Sequence, residues 1–202
     1  MATSVISPPL SELGPDANGI TLTPEEFDSA DFEAGWRYDL IRGVLIVSPS
    51  PSKKERGPNE LLARLLGNFQ EDHVNGSTLD DTLSEETITT NENRRRVDRA
   101  IWTGLGRVLV DGDIPSIIVE LVSPGKRNLK RDYEEKRDEF LEIGVQEYWV
   151  IDRFARTMTV FRPGKRRALK KVYDEDAVYK TSLLLGFELP LADLFARADR
   201  YI

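Results

Sequence analysis

PSIIVELVSPGKRNLKRDYEEKRDEFLEIGVQEYWVID, residues 115–152, reads as a strand, a helix and a second strand in one run. Pro115 to Val122 is apolar, rich in β-branched residues and of strand length. From Leu129 to Ile143, the residues Leu129, Tyr133, Lys136, Phe140 and Ile143 recur at alternating four- and three-residue steps, the spacing of one helix face, and Gly144 follows where helices close. QEYWVID then returns to strand composition. Two residues break the pattern. Glu120 lies inside SIIVELV, where an isolated carboxylate is expensive to bury and calls for a cation. Lys136 stands in the core-facing register of the helix. Lysines in such registers commonly snorkel to water, but this helix follows directly on the Glu120 strand and should pack over it, which places Lys136 within reach of the acid.

Working outward, RRRVDRAIW (94–102) predicts a strand over Arg95–Trp102 that carries Asp98 among apolar neighbours. If it lies beside the Glu120 strand, two carboxylates meet near the sheet centre. Such a pair either raises one pKa by repulsion or takes up a hard divalent cation. Glu86–Thr90 (ETITT) is a further strand. Leu61, Leu62, Leu65, Leu66 and Phe69 predict an amphipathic helix from Asn59 to about Val74, ending near Asn75-Gly76. WRYDLIRGVLIVSPSPS (36–52) alternates Trp36, Tyr38 and Leu40 with Arg37, Asp39 and Ile41, turns at Arg42-Gly43 and stops at Pro49 and Pro51, as a hairpin does. Thr23-Pro24-Glu25-Glu26 opens a short helix. Residues 1–19, punctuated by Pro8, Pro9, Gly14, Pro15 and Gly19, read as an irregular arm, and 20–202 as a single domain. After the deciding stretch come TMTVFRP, a weaker strand around Lys171–Tyr173, and LLLGFELPLADLF. The order is that of an α/β or α+β domain with one mixed central sheet.

The 202 residues carry a net charge of −7, contain no Cys and have one His, His73. A disulfide framework, a thiolate metal site and a cysteine nucleophile are therefore excluded, and a zinc site built mainly from His with them. A reducing cytoplasm fits this composition. No stretch has the length of a membrane span, and MATSVISPPL lacks the charged start of an export signal. The acidic balance opposes broad nucleic-acid binding, so any such contact must be local.

The sequence resembles the PD-(D/E)XK nuclease superfamily and, within it, the Uma-type endonucleases of bacteria. LTPEEF, WRYDLIRGVLIVSPSPS, VDRAIW, the stretch 115–152 and LLLGFELPLADLF carry the resemblance, in the family's order, from about Leu22 to Phe195. It implies a restriction-endonuclease-like fold: a mixed central β-sheet flanked by two long helices, with an N-terminal hairpin and C-terminal strands. It further implies an endonuclease that hydrolyses phosphodiester bonds, of DNA, with Mg²⁺ or Mn²⁺ as cofactor. Asp98 and Glu120 match the motif's two acids, and Asp39 a place where the family carries Glu, a further metal ligand. The motif's Lys, expected two residues after Glu120 on the same strand face, is replaced by Val122. A Lys on the following helix stands in, and Lys136 is the position that matches. Lys126, Arg127, Lys130 and Arg131 follow the Glu120 strand where a phosphate backbone would lie. Enzymes that cut both strands often pair, so a homodimer is compatible with this reading. The rival is a catalytically inactive nuclease fold that binds nucleic acid or protein, its charged cluster a structural salt bridge.

Other residues carry plainer expectations. Ser123 reads as a strand-end cap, and Glu147 and Asp152 as sheet-edge or turn residues. Trp102, Tyr148 and Trp149 read as core. His73 is expected to interact with helix-terminal carbonyls.

Overall fold

The computed structural model describes residues 12–123 and 130–201. The hairpin forms as its sequence predicts: β1 (Trp36–Ile41) and β2 (Val44–Pro49) pair antiparallel around Arg42 and Gly43, both at positive φ, the pattern of a type I′ turn. Its alternation sorts the strand into two faces. Tyr38 and Leu40 join Leu13, Leu22, Phe27 and Leu45 in a small core, while Arg37 and Asp39 point the other way. That core takes in the described part of the arm, where Leu13 bridges Phe32 and Pro15–Ala17 forms a 3₁₀ turn. The helix α1 (Pro24–Asp28), with its Thr23–Glu26 capping box, closes it.

α2 runs from Lys53 to Asp72, starting six residues earlier than the apolar stripe indicates. Ser52 and Glu55 form a capping box that starts the helix ahead of Pro58, and the proline then costs one backbone bond near the start of the helix. Leu62, Leu66 and Phe69 are its buried stripe. At its end the His73 ring stacks on Phe69 and its Nδ1 accepts the Asn75 N–H, so it caps the following turn rather than the helix carbonyls.

The central strands divide between two sheets. β3 (Leu79–Ser84), β4 (Thr87–Thr90), β5 (Asn93–Arg96) and β6 (Arg99–Thr103) make one long, bent ribbon in which β3 pairs β6 and β4 pairs β5. Its far half joins the hairpin in a four-stranded sheet, β2-β1-β5-β4. Its near half joins β7 (Ile117–Leu121), β8 (Glu147–Asp152), β9 (Thr157–Arg162) and β10 (Leu169–Asp174) in a six-stranded sheet, β10-β9-β8-β7-β6-β3. The strand expected over Arg95–Trp102 is thus broken at Val97-Asp98, where the ribbon changes sheet, and Glu85 faces that break on the other strand. Glu85 takes a positive φ of 56° to turn the corner.

β7 (Ile117–Leu121) lies beside β6 antiparallel and beside β8 (Glu147–Asp152) parallel, with the connecting helical segment crossing the sheet. That segment carries a π turn, Arg131–Glu135, and continues as α3, Lys136–Glu142; its described part falls within the helix expected over Leu129–Ile143, and Leu129 lies outside the described residues. It ends on Gly144, at φ 108°, with the paired reverse bonds Gly144 N–H to Leu141 O and Val145 N–H to Phe140 O. β9 (Thr157–Arg162) and β10 (Leu169–Asp174) complete the sheet. A two-residue ribbon, β11 (Val178–Tyr179) with β12 (Leu189–Pro190), leads to α4 (Leu191–Asp199). Ile117, Val119, Leu121, Trp149 and Ile151 bury the sheet face against α2 and α4. Ala100, Trp102, Ile118, Tyr148 and Val150 bury the other beneath α3. The fold is mixed α+β, and none of its described helices is long and apolar enough to cross a membrane.

Candidate functional site

The charged cluster lies at the corner where the ribbon leaves one sheet for the other. Strand periodicity turns Glu120, like Ile118 and Val122, toward α3, and Glu120 is 1% exposed. The β6–β7 register pairs Arg99 with Val119, so Asp98, one residue earlier, falls opposite Glu120. The ribbon's bend frees that position from the backbone ladder, and the Asp98 side chain fills it, its Oδ2 accepting the Leu121 N–H at 2.6 Å. Asn59 of α2 donates to the Asp98 carbonyl at 2.8 Å, tying the corner to the helix.

Each acid has its own cation. Lys136 Nζ lies 2.6 Å from Glu120 Oε1 and donates to the Arg96 carbonyl at 2.8 Å. Arg37 Nη2 lies 3.0 Å from Asp98 Oδ1, while Arg37 Nε lies 3.1 Å from Glu85 Oε2, which Arg96 also approaches. Asp39, on the same face of β1 as Arg37, accepts the Arg96 N–H at 2.9 Å. The π turn adds Asp132, fully buried and paired with Arg131, and its carbonyl accepts the Tyr148 hydroxyl. Five acids (Asp39, Glu85, Asp98, Glu120, Asp132) and four cations (Arg37, Arg96, Arg131, Lys136) therefore share one corner.

Burial dominates the electrostatics. It pushes the Glu120 carboxyl up to about 8, against the pull of Lys136 and with added repulsion from Asp98 and Asp132. Burial likewise raises Glu85, opposed by Arg37 and Arg96. At Arg37 burial works against the charge, but Asp98, Glu120, Glu85 and Asp39 together outweigh it and keep the guanidinium protonated.

The sequence-predicted Asp98, Glu120 and Lys136 are brought together, and Asp39 enters the same corner with one oxygen on a backbone amide. Lys130 is exposed near Glu135, Arg131 is half-buried on Asp132, and Lys126 and Arg127 lie outside the described residues. Ser123 donates to Glu55, the N-terminal capping residue of α2. Asp152 caps its turn by accepting the Phe154 and Ala155 amides, but Glu147, expected at an edge or turn, is buried inside the sheet.

Arg37, Glu85, Arg96 and Asp132 were not singled out by the sequence. Arg37 had a signal, two residues from Asp39 on one strand face. Asp132 sits four before Lys136, a helix-face spacing, but the π turn, in which the Lys136 N–H reaches back to the Arg131 carbonyl, advances the register and buries Asp132 where Tyr133 was expected.

The oxygen-only donor set of this corner suits a hard divalent cation in kind. In the arrangement described, its acids are held by cations and amides, and no group of three or more His, Cys, Asp or Glu among the described residues is gathered to hold a metal.

Among curated proteins none matches the sequence. A solved structure described as "a putative nuclease belonging to DUF820 from Anabaena variabilis ATCC 29413" has a similar fold, with a TM-score of 0.71, 18% identity, and coverage of 88% of this chain and 99% of that one. The Uma2 family, described as "Putative restriction endonuclease", matches residues 24–192, which include the hairpin, the ribbon corner, α3 and the six-stranded sheet. With that match over most of its length, the chain belongs to the Uma2 family of restriction-endonuclease-like proteins.

Proposed function

We propose that this chain is a divalent-metal-dependent endonuclease acting on DNA. One observation carries the reading: Asp98 and Glu120 stand opposite each other at a sheet corner, with Lys136 on Glu120 and Val122 where a strand lysine would otherwise sit. Asp98 and Glu120, with Asp39 as a further ligand, would hold Mg²⁺ or Mn²⁺, which when bound supplies an activated water and charge neutralisation at the phosphodiester. Lys136, anchored by the Arg96 carbonyl, stays beside the Glu120 carboxylate and presents its charge where negative charge develops. Lys130 and Arg131, with Lys126 and Arg127, would line the approach of the backbone. The test is cleavage of supercoiled plasmid with Mg²⁺, with Mn²⁺ and with chelator. Nicking or linearisation that needs the metal and is lost in a folded Glu120→Gln variant supports the reading; metal-independent cleavage, or full activity of the variant, contradicts it.

A second reading rests on the ion pairs themselves. Arg37 on Asp98 and Lys136 on Glu120 already neutralise both acids, as in a nuclease fold kept for binding alone. It predicts no metal dependence and a loss of about 3 to 5 kcal/mol on Glu120→Ala.

A further inference from the structure

Between hairpin, α2 and ribbon lies a cleft of about 520 Å³, walled by Phe32, Trp36, Arg56, Ser84, Glu85 and Arg96. At its inner end, one carboxylate oxygen, Glu85 Oε2, is approached by two guanidiniums, Arg37 Nε at 3.1 Å and Arg96 Nε at 3.4 Å. Two arginines aimed at a single oxygen from two strands form a clamp for an anion. The clamp is poorly satisfied by its present occupant. Arg96 Nε, 3.4 Å from that oxygen, is a buried nitrogen with no acceptor in hydrogen-bond geometry among the described residues; Arg37 Nη2, which faces Asp98 rather than Glu85, also finds none. The occupant is itself held at a cost: Glu85 is a non-glycine residue at φ 56°, and its carboxylate lies near that of Asp98. Behind the clamp, Arg37 Nη2 touches Asp98, so an anion seated there would lie between the open cleft and the Asp98–Glu120 pair.

We propose that Arg37 and Arg96 form the site for a nucleic-acid phosphate, and that Glu85 occupies it in the free protein as a substitute anion which the phosphate displaces. The proposal rests on the nuclease reading for its choice of ligand and adds to it a phosphate clamp and a self-blocking acid. A phosphodiester offers two unesterified oxygens on one tetrahedral centre, so it can give each guanidinium its own acceptor, whereas here both guanidiniums approach the same Glu85 oxygen. Release of Glu85 also removes a negative charge facing the incoming backbone.

The experiment is fluorescence anisotropy of a short labelled single-stranded DNA in chelator, across a salt series, with the wild type, Glu85→Gln, Arg96→Met and the double variant, each checked by circular dichroism. Glu85→Gln should bind about tenfold more tightly than the wild type. Arg96→Met should weaken binding, cancel that gain in the double variant and lower the salt slope by about one. Unchanged or weaker binding by Glu85→Gln, or indifference to Arg96→Met, overturns the clamp. A gain that appears with inorganic phosphate and not with the oligonucleotide overturns the assignment to nucleic acid. The assay contains no divalent metal and measures no cleavage, so its failure leaves the nuclease reading to be decided separately by the metal-dependent loss of cleavage in Glu120→Gln.

Discussion

Glu120 and Glu147 lie on adjacent strands of one sheet, 1% and 2% exposed, and are held in opposite ways. Glu147, facing α2 and α4, accepts from Trp149 Nε1 at 2.8 Å, Arg162 Nε at 2.8 Å, the Tyr179 hydroxyl at 2.7 Å and Thr181 Oγ1 at 3.0 Å. Both its oxygens are occupied, and burial together with that hydrogen bond keeps the Tyr179 phenol protonated as a donor. Glu120, facing α3, has among the described residues a single donor, Lys136, and other acids nearby. Burial of a carboxylate alone therefore does not mark a functional site, because the saturated acid serves the fold. The undersupplied one has capacity left for a ligand.

The comparison breaks most sharply at Glu147. Glu147→Ala strands Trp149, Tyr179 and Thr181 in the core, takes its partner from the half-buried Arg162, and should cost about 3 to 5 kcal/mol, read by urea unfolding. A loss below about 1 kcal/mol would put the network among weakly coupled contacts. Lys136→Met should cost less, and in a pH-dependent way. Without the ammonium, Glu120 is tolerated while protonated, so the gap from wild type should widen as pH rises, reaching about 3 kcal/mol near pH 9 or so. A gap that stays constant with pH would mean Glu120 is ionised throughout.

Glu120→Gln sharpens the same point. With its carboxyl raised from 4.5 to about 8, folded protein holds a proton that the unfolded chain has released across that range, so wild-type stability should fall as pH climbs through it. The amide has no such proton, and its stability profile should be flatter there. Smallest is Ser52→Ala, which removes one half of the capping box of α2 and should cost about 1 kcal/mol without altering Mn²⁺ binding.

The legible part of the corner was what periodicity can encode. An acid in an apolar strand, an acid on its neighbour and a lysine in a helix stripe announce themselves by breaking a pattern, and the β6–β7 register then sets Asp98 opposite Glu120. Arg37 and Glu85 come from a hairpin face and a strained turn, and no spacing links them to residues that follow later in the chain. RRRVDRAIW contains neither Gly nor Pro at the point where the ribbon changes sheet, so two strands read as one. Pro58 reads as a helix breaker, and only the Ser52–Glu55 pair behind it shows that α2 begins earlier. Glu147 does not announce its burial, because its partners Arg162, Tyr179 and Thr181 arrive from strands and loops well beyond it.

The difference between the two glutamates is tested most directly by calorimetric titration of Mn²⁺ into wild type, Glu120→Gln and Glu147→Gln, with circular dichroism on all three. Saturable binding is expected of wild type and Glu147→Gln, and none of a folded Glu120→Gln. Absence of binding in the wild type, or equal binding by Glu120→Gln, would contradict this and leave the corner as a structural set of ion pairs.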